Sequence, residues 1–201
     1  MIAVLLAAGA GRRIGGCKAL LELGGHTALA RSMELLRAGG ATGLRVVLGH
    51  QADEVQRRVD LSGCEVSVNP DPDRGQTSSL KLGLGAGPLP GGACLLHTVD
   101  HPLARAEDVA ALLSAWGLRA PGIQIVAPSV VGRRGHPVVL GAAAVQELLA
   151  LSDDQPAHLV IRRDPARIQH VLRAAPWLVR DIDDAEDLAA ARAELARRER
   201  P

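Results

Sequence analysis

Ile2-Ala3-Val4-Leu5-Leu6-Ala7-Ala8-Gly9-Ala10-Gly11-Arg12-Arg13-Ile14-Gly15-Gly16-Cys17-Lys18 opens the chain, and its reading decides the fold. Residues 2–6 form a short run of β-branched and leucine side chains that stops at Gly9, as a buried strand does. The small residues that follow let a backbone approach a ligand closely, and successive N–H groups there can cradle phosphate. Arg12, Arg13 and Lys18 put cations where a triphosphate would lie. A Gly-rich connection with solvated basic residues is the plainer alternative.

Working outward from this stretch, apolar runs alternate with segments of helical period. Strands are predicted over 44–48, 65–68, 94–99, 123–127, 137–140 and 178–182. Helices are predicted over 26–37, with Thr27 as N-cap and Gly39 as stop, and over 52–59, 77–84, 107–118, 145–151, 159–163 and 185–198. This alternation predicts an α/β fold of Rossmann-like architecture, a mostly parallel sheet flanked by helices. No repeat or low-complexity linker interrupts it, and the Gly/Pro stretch 85–92 reads as a loop, so residues 1–201 are expected to form a single domain. In such sheets ligands sit beyond the carboxyl ends of the strands, which directs attention to the residues after each strand.

Composition narrows the partners. A net charge of +1 gives no case for nucleic acid, and the arginines at 192, 197, 198 and 200 suit a solvated helix end. With no Tyr or Phe and only two Trp, a stacking platform for bases is nearly excluded. Three widely spaced cysteines, Cys17, Cys64 and Cys94, indicate neither a disulfide framework nor a cysteine zinc site and fit a reducing cytoplasm. No stretch approaches the ~18 apolar residues of a membrane span, and the apolar start has no basic leader, so neither a membrane nor a secretory route is expected.

Two other kinds of loop are poor matches to the opening stretch. Gly9-x-Gly11-x-x-x-Gly15 lacks the standard dinucleotide spacing, and the second strand ends Leu48-Gly49-His50 without the acid that binds a ribose. No Gly-Lys-Ser/Thr follows, so it is not a Walker A loop. Leu6-Ala7-Ala8-Gly9, then Arg13, Gly15 and Lys18, resembles the signature loop of the MobA-like nucleotidyltransferases, LAAGxSxRMGxxK, with Gly11 for Ser and Ile14 for Met. Within that family the likeness is closest to the molybdenum cofactor cytidylyltransferases of the MocA type.

The resemblance runs through later segments in the same order, from Leu5 to Asp187. Asp100-His101-Pro102 closes a buried strand where the family has Asp-Met/Gln-Pro. A carboxylate there faces the ligand edge, suits Mg2+, and is the family's metal ligand; a helix cap is the bland reading, and His101 reads as a variable position. Asn69-Pro70, then Gly75, Thr77, Ser78 and Ser79, matches an N-P…G-x-S-S-S-L-like nucleotide-contacting segment, although Ser and Thr before a helix also serve as caps. Arg134-Gly135-His136-Pro137 matches an acceptor-facing R-G-H-P turn; His136 reads either as an acceptor-phosphate contact or as a structural hydrogen bond. Asp181-Ile182-Asp183 matches a D-x-D stretch that supplies a second metal contact. Strand alternation would put both acids on one face, and either can be the ligand, while Asp184 and Glu186 suit a helix start.

The resemblance implies Mg2+-dependent transfer of CMP from CTP to molybdopterin or its molybdenum form, with hand-over to a molybdenum hydroxylase. It implies catalytic roles for Arg13, Lys18 and Asp100 and metal contacts from Asp100 with Asp181 or Asp183. Nucleotide contacts are expected from Leu6, Ala7, Ala8, Gly9, Gly15, Lys18, Asn69, Gly75, Ser78 and Ser79, and acceptor contacts from Arg134, Gly135 and His136. Guanylyl-transferring relatives usually carry Leu-Ala-Gly-Gly, so Ala8 favours CTP over GTP. Other small-phosphate cytidylyltransferases share the loop. An NAD(P)-binding oxidoreductase and a cofactor-insertion chaperone are the readings of another class.

Overall fold

The computed structural model describes residues 1–200. In chain order the strands and α-helices are β1 (Ile2–Ala7), β2 (Glu22–Leu23), β3 (His26–Thr27), α1 (Ala28–Ala38), β4 (Gly43–Leu48), α2 (Ala52–Arg58), β5 (Cys64–Val68), α3 (Gln76–Gly85) and β6 (Cys94–Thr98). They continue with α4 (Ala106–Gly117), β7 (Ile125–Val130), β8 (Arg133–Arg134), β9 (Val138–Leu140), α5 (Ala142–Leu149), α6 (His158–Arg162), β10 (Ile168–Leu172) and α7 (Ala185–Arg198). The main sheet runs β10-β7-β9-β6-β1-β4-β5, with β8 paired to β7. All pairs along this path are parallel except those made by β9, which runs antiparallel between β6 and β7.

The central strands are continuous apolar runs because helices cover both faces. Successive side chains of β1 divide accordingly: Ala3, Leu5 and Ala7 join one core with Leu36 of α1, Val55 of α2, Leu112 of α4 and Leu195 of α7. Val4 and Leu6 join another with Leu80 of α3, Leu148 of α5 and Val160 of α6. Helix α1 buries Leu29, Met33 and Leu36, the i, i+4, i+7 stripe of an amphipathic helix. It starts where the Thr27 hydroxyl accepts from Ala30 N at 3.2 Å.

Parallel register sets the ligand edge. Ala7 lies opposite Leu48, and Leu6 opposite Thr98, so β1, β4 and β6 finish together. The antiparallel β9 brings its entry to the same edge, with Val138 opposite Leu96.

The expected strand over 178–182 does not form. Pro176–Leu178 is a 3-10 turn, and Trp177, Leu178 and Ile182 are buried at a spacing that no strand alternation produces. The strand on that side of the sheet is β10, which pairs with β7. As a sheet edge it is only half-buried and carries Gln169 and His170, so its composition hides it.

The β7–β8 turn holds a strained residue. Val131 has φ +48° and Gly132 φ +77°, and Val131 is 98% exposed. A β-branched side chain in the left-handed region costs ~1–2 kcal/mol, and no packing offsets it here. Val131→Asn should therefore raise stability by about 1 kcal/mol, seen as a Tm gain of roughly 2–4 °C in thermal unfolding. An unchanged or lower Tm would show that the turn carries no such strain.

Candidate active site

The loop after β1 turns back on itself at Gly11, which has φ +61° and whose Cβ would lie 1.9 Å from Gly16 O. Only glycine fits there, which accounts for the departure from serine at this position. A 3-10 turn over Arg12–Ile14 ends at Gly15, and a second turn begins at Lys18. Cys17, Ala19 and Leu20 are buried, so Lys18 rises from an anchored turn, whereas the Arg13 side chain is largely exposed.

Lys18 meets two acids from distant parts of the chain. Its Nζ bonds Asp183 Oδ1 and lies 3.9 Å from Asp100 Oδ2. The two carboxylate oxygens are therefore less than 8 Å apart. Arg13 reaches the other oxygen of Asp183 at 2.6 Å. Asp100 sits at the end of β6, where Val99 N donates to Leu6 O, and its carbonyl accepts from Ile182 N at 2.9 Å. That bond lays the segment before α7 against the end of β6. Asp183 N donates to Asp187 Oδ2, and Asp184 caps α7 through Asp187 N, so the helix start fixes the Asp183 backbone. Asp181, beside the buried Ile182, is exposed. The strand whose alternation would put both acids on one face does not form, and of the two only Asp183 bonds Lys18 and Arg13.

Burial pushes the Asp100 carboxyl up, but hydrogen bonds from His101 and Thr98 and the charge of Lys18 outweigh it and hold it far below the ordinary carboxylate range. The hydrogen bond from Lys18, aided by Arg13, lowers Asp183. Both are ionised at neutral pH.

A cleft of about 190 Å³ opens at this edge, lined by Leu6, Ala8, Gly9, Lys18, Ser79, Thr98 and Asp100, with Pro72 and Gln76 across from them. Ala7 does not line it; its side chain is buried in the core of the other sheet face. Ala8 packs where a Cβ on Gly49 would come within 2.8 Å of its own. A wider groove of about 600 Å³ beside α1 shares no residue with this cleft.

Asn69 is buried rather than exposed to a ligand. Its Nδ2 donates to Ser78 and Ser79, both at 2.8 Å, and its Oδ1 accepts from Asp71 N. Ser78 donates in turn to the carbonyl of Gly75, the N-cap residue just before α3. This network holds the first turn of α3 against the cleft. The segment is also tied to the first loop, since Asp73 bonds Arg12 at 2.9 Å and lies 3.2 Å from His50.

At the entry to β9, Arg134 is exposed on β8. Gly135 is needed for packing, because a Cβ there would lie 1.7 Å from Leu178 O. His136 N donates to that same carbonyl at 2.8 Å. Burial, and then the neighbouring His101, push the His136 imidazole down to about 4, so it is neutral at pH 7. Its ring lies 5.0 Å from that of His101 with the planes inclined by 46°, and among the described residues its buried Nδ1 has no hydrogen-bond partner. Sequence reasoning missed the bond from His101 to Asp100, the contacts of Asp73, and Thr98. Thr98 could have been found, because alternation puts it on the face that Asp100 continues.

Two ionised carboxylates and no thiol suit a hard oxygen-seeking cation. Among the described residues no group of three or more His, Cys, Asp or Glu is arranged to hold a metal ion. Two carboxylates completed by substrate oxygens is the arrangement Mg2+ accepts. Also among the described residues, no helix is long and apolar enough to cross a membrane.

A mostly parallel sheet whose first loop presents Arg13 and Lys18 to one carboxylate after β6 and another before α7 is the frame of a nucleotidyltransferase. The chain belongs to the MobA-like NTP transferase family, whose model matches residues 3–171. It is 34% identical over 192 residues to nicotine blue oxidoreductase of Paenarthrobacter nicotinovorans, covering 92% of this chain and 86% of that protein. The structure of Rv0371c from Mycobacterium tuberculosis H37Rv superposes with a TM-score of 0.82 at 25% identity over 96% of each chain. A manganese complex of that protein superposes with a TM-score of 0.78 at 23% identity, covering 96% of this chain and 97% of that one. Molybdopterin-guanine dinucleotide biosynthesis protein A from Archaeoglobus fulgidus shares the fold, with a TM-score of 0.73 at 18% identity over 98% of this chain and 100% of that one.

The ion pairs give a titration to check. Asp183 has a lowered folded pKa, so its contribution to stability is present above the unfolded value of about 3.8 and is lost as pH falls through the folded one. Lys18→Met should move the Asp183 titration upward and narrow that acid limb. Carboxyl carbon chemical shifts followed against pH measure it, and an unmoved Asp183 curve would show that Lys18 does not hold this acid.

Proposed function

We propose that the chain transfers CMP from CTP to a phosphate oxygen of a molybdopterin-type acceptor, releasing pyrophosphate. The observation that carries this reading is the convergence of Lys18, Asp100 and Asp183 at the cleft floored by Leu6, Ala8 and Gly9. The acceptor oxygen attacks the α-phosphorus in line, and the bond to the β-phosphate oxygen breaks as the new one forms. The nucleophile is already an anion, so no general base is needed, and catalysis is positioning plus charge neutralisation. Lys18 and Arg13 hold the triphosphate and meet the charge that builds on departing pyrophosphate. Asp100 and Asp183 are the residues that would hold Mg2+, which supplies further neutralisation of phosphate charge when bound. The backbone from Leu6 to Gly9 reads the base, with Gly15 shaping the loop, while Asn69, Gly75, Ser78 and Ser79 set the α3 end of the cleft. Exposed Arg134 meets the acceptor, and the product passes to a molybdenum hydroxylase.

One relative favours a second reading, since the protein 34% identical to this chain is named an oxidoreductase. A dinucleotide site places a helix N-terminus at the pyrophosphate. Here the first loop leads into 3-10 turns, and no acid follows β4. Pyrophosphate release measured with CTP, GTP and no nucleotide, each with and without molybdenum cofactor, and NADPH oxidation followed in parallel separate the two. Release only with CTP and acceptor is expected. NADPH oxidation without pyrophosphate would replace this reading with the second.

Three substitutions test the parts. Asp183→Asn should cut turnover on the order of 10²-fold, by analogy with loss of one transition-state electrostatic contact, while Asp181→Asn stays near the native rate. Equal effects in steady-state kinetics would remove Asp183 from the site. Ala8→Gly should shift the ratio of kcat/KM for CTP and GTP toward GTP, because the methyl group narrows the floor of the cleft beside the base. An unchanged ratio would place base choice elsewhere.

A further inference from the structure

The residue between the strand-end acid and Pro102 is a histidine, and its ring folds back onto that acid. His101 Nδ1 lies 2.9 Å from Asp100 Oδ1, and Thr98 Oγ1 lies 3.1 Å from the same nitrogen. An ionised carboxylate only accepts, so Nδ1 carries the proton and donates it. The other carboxylate oxygen, Oδ2, is the one that faces Lys18 and the cleft. The two oxygens of Asp100 thus have separate partners.

The ring cannot easily turn away. Only 12% of the His101 side chain is exposed. The His136 ring packs against it at 5.0 Å with the planes inclined by 46°. Behind His136 lies His97 of β6, fully buried, at 6.3 Å. His136 is itself fixed by its backbone bond to Leu178 O. The imidazole of His101 is therefore wedged with its donor aimed at Asp100.

We infer that His101 is a positioning residue, which pins Oδ1 of Asp100 through Nδ1 and thereby offers Oδ2 alone, in one orientation, to a divalent cation in the cleft. This rests on the reading of Asp100 as a metal ligand. A freely rotating carboxylate would lose rotational freedom on binding the ion, and hydrogen bonds from neighbouring groups remove that cost beforehand.

The test is Mn2+ binding to the protein alone, followed by loss of the free-ion signal in electron paramagnetic resonance. His101→Leu removes the donor, and His101→Gln carries it one bond too far. His101→Asn keeps an N–H donor close to the place of Nδ1. Leu and Gln should weaken Mn2+ binding by about tenfold or more, and Asn should stay within about threefold of the native chain. Thermal unfolding confirms that each variant is folded, and two disruptive variants guard against the loss of one. Native affinity in the Leu and Gln variants would overturn the inference, as would an Asn variant as weak as both. Asp100→Asn separates the underlying reading. If it binds Mn2+ like the native chain, Asp100 is not a ligand; if it loses the ion while Leu and Gln do not, only the role of His101 falls.

Discussion

Lys18 between Asp100 and Asp183 is the contact on which the arrangement of this protein turns. It joins the loop after β1, the end of β6 and the segment before α7, parts separated by more than 80 residues in each step along the chain. Three elements brought together by one ammonium would drift apart without further ties. The ties are backbone ones: Val99 N to Leu6 O and Ile182 N to Asp100 O, with the start of α7 holding Asp183 through Asp187. The electrostatic contact is thus made between groups already fixed, so little conformational entropy opposes it.

The far wall of the cleft is organised on the same plan. Asn69 gives both amide hydrogens to Ser78 and Ser79 and accepts from Asp71 N, so the residues that look most like ligand contacts in the sequence are bonded to one another. Their effect is to fix the first turn of α3, with Gln76 and Ser79, beside the cleft. Asp73 then connects this wall to Arg12 of the first loop, and the two sides of the opening are linked across the sheet edge.

What the sequence disclosed follows from which forces are local. Strands buried on both faces show as uninterrupted apolar runs, and β1, β4 and β6 are read directly from them. The cap at Thr27 is equally legible, because its partner lies three residues on, whereas Arg13, Lys18 and Asp100 stand out only through the motif resemblance and meet through tertiary contacts. An edge strand such as β10 is not legible, since one side of it faces solvent and its residues answer to pairing with β7 rather than to burial. Trp177, Leu178 and Ile182 mimic a strand because three buried side chains lie close together, although they serve a turn that covers the end of the sheet. Telling Asp181 from Asp183 needs tertiary information as well: only Asp183 meets Lys18 and Arg13, held there by the Ile182 N–H bonding Asp100 and by α7 starting two residues later. His101 was read as variable because no local pattern records where a ring will fold.

The charges in the cleft also constrain how a triphosphate and a divalent cation can enter it. Each cation that phosphate needs, Arg13 and Lys18, is engaged with Asp183, and each acid that a metal needs is engaged with Lys18. A metal ion alone would have to displace Lys18 and strand an ammonium group that is only 16% exposed. A triphosphate alone would meet the field of two ionised carboxylates at close range. Entering together on the proposed reaction, a metal would be held by the acids and the phosphates by Arg13 and Lys18, and no charge would be left unpaired in a partly desolvated site. On the proposed reaction the two ligands therefore favour each other's binding, and that coupling is reciprocal by thermodynamic necessity. On that reaction a phosphate that receives Lys18 lowers the cost of freeing it from Asp183, so a divalent cation binds more weakly alone than with nucleotide but still binds.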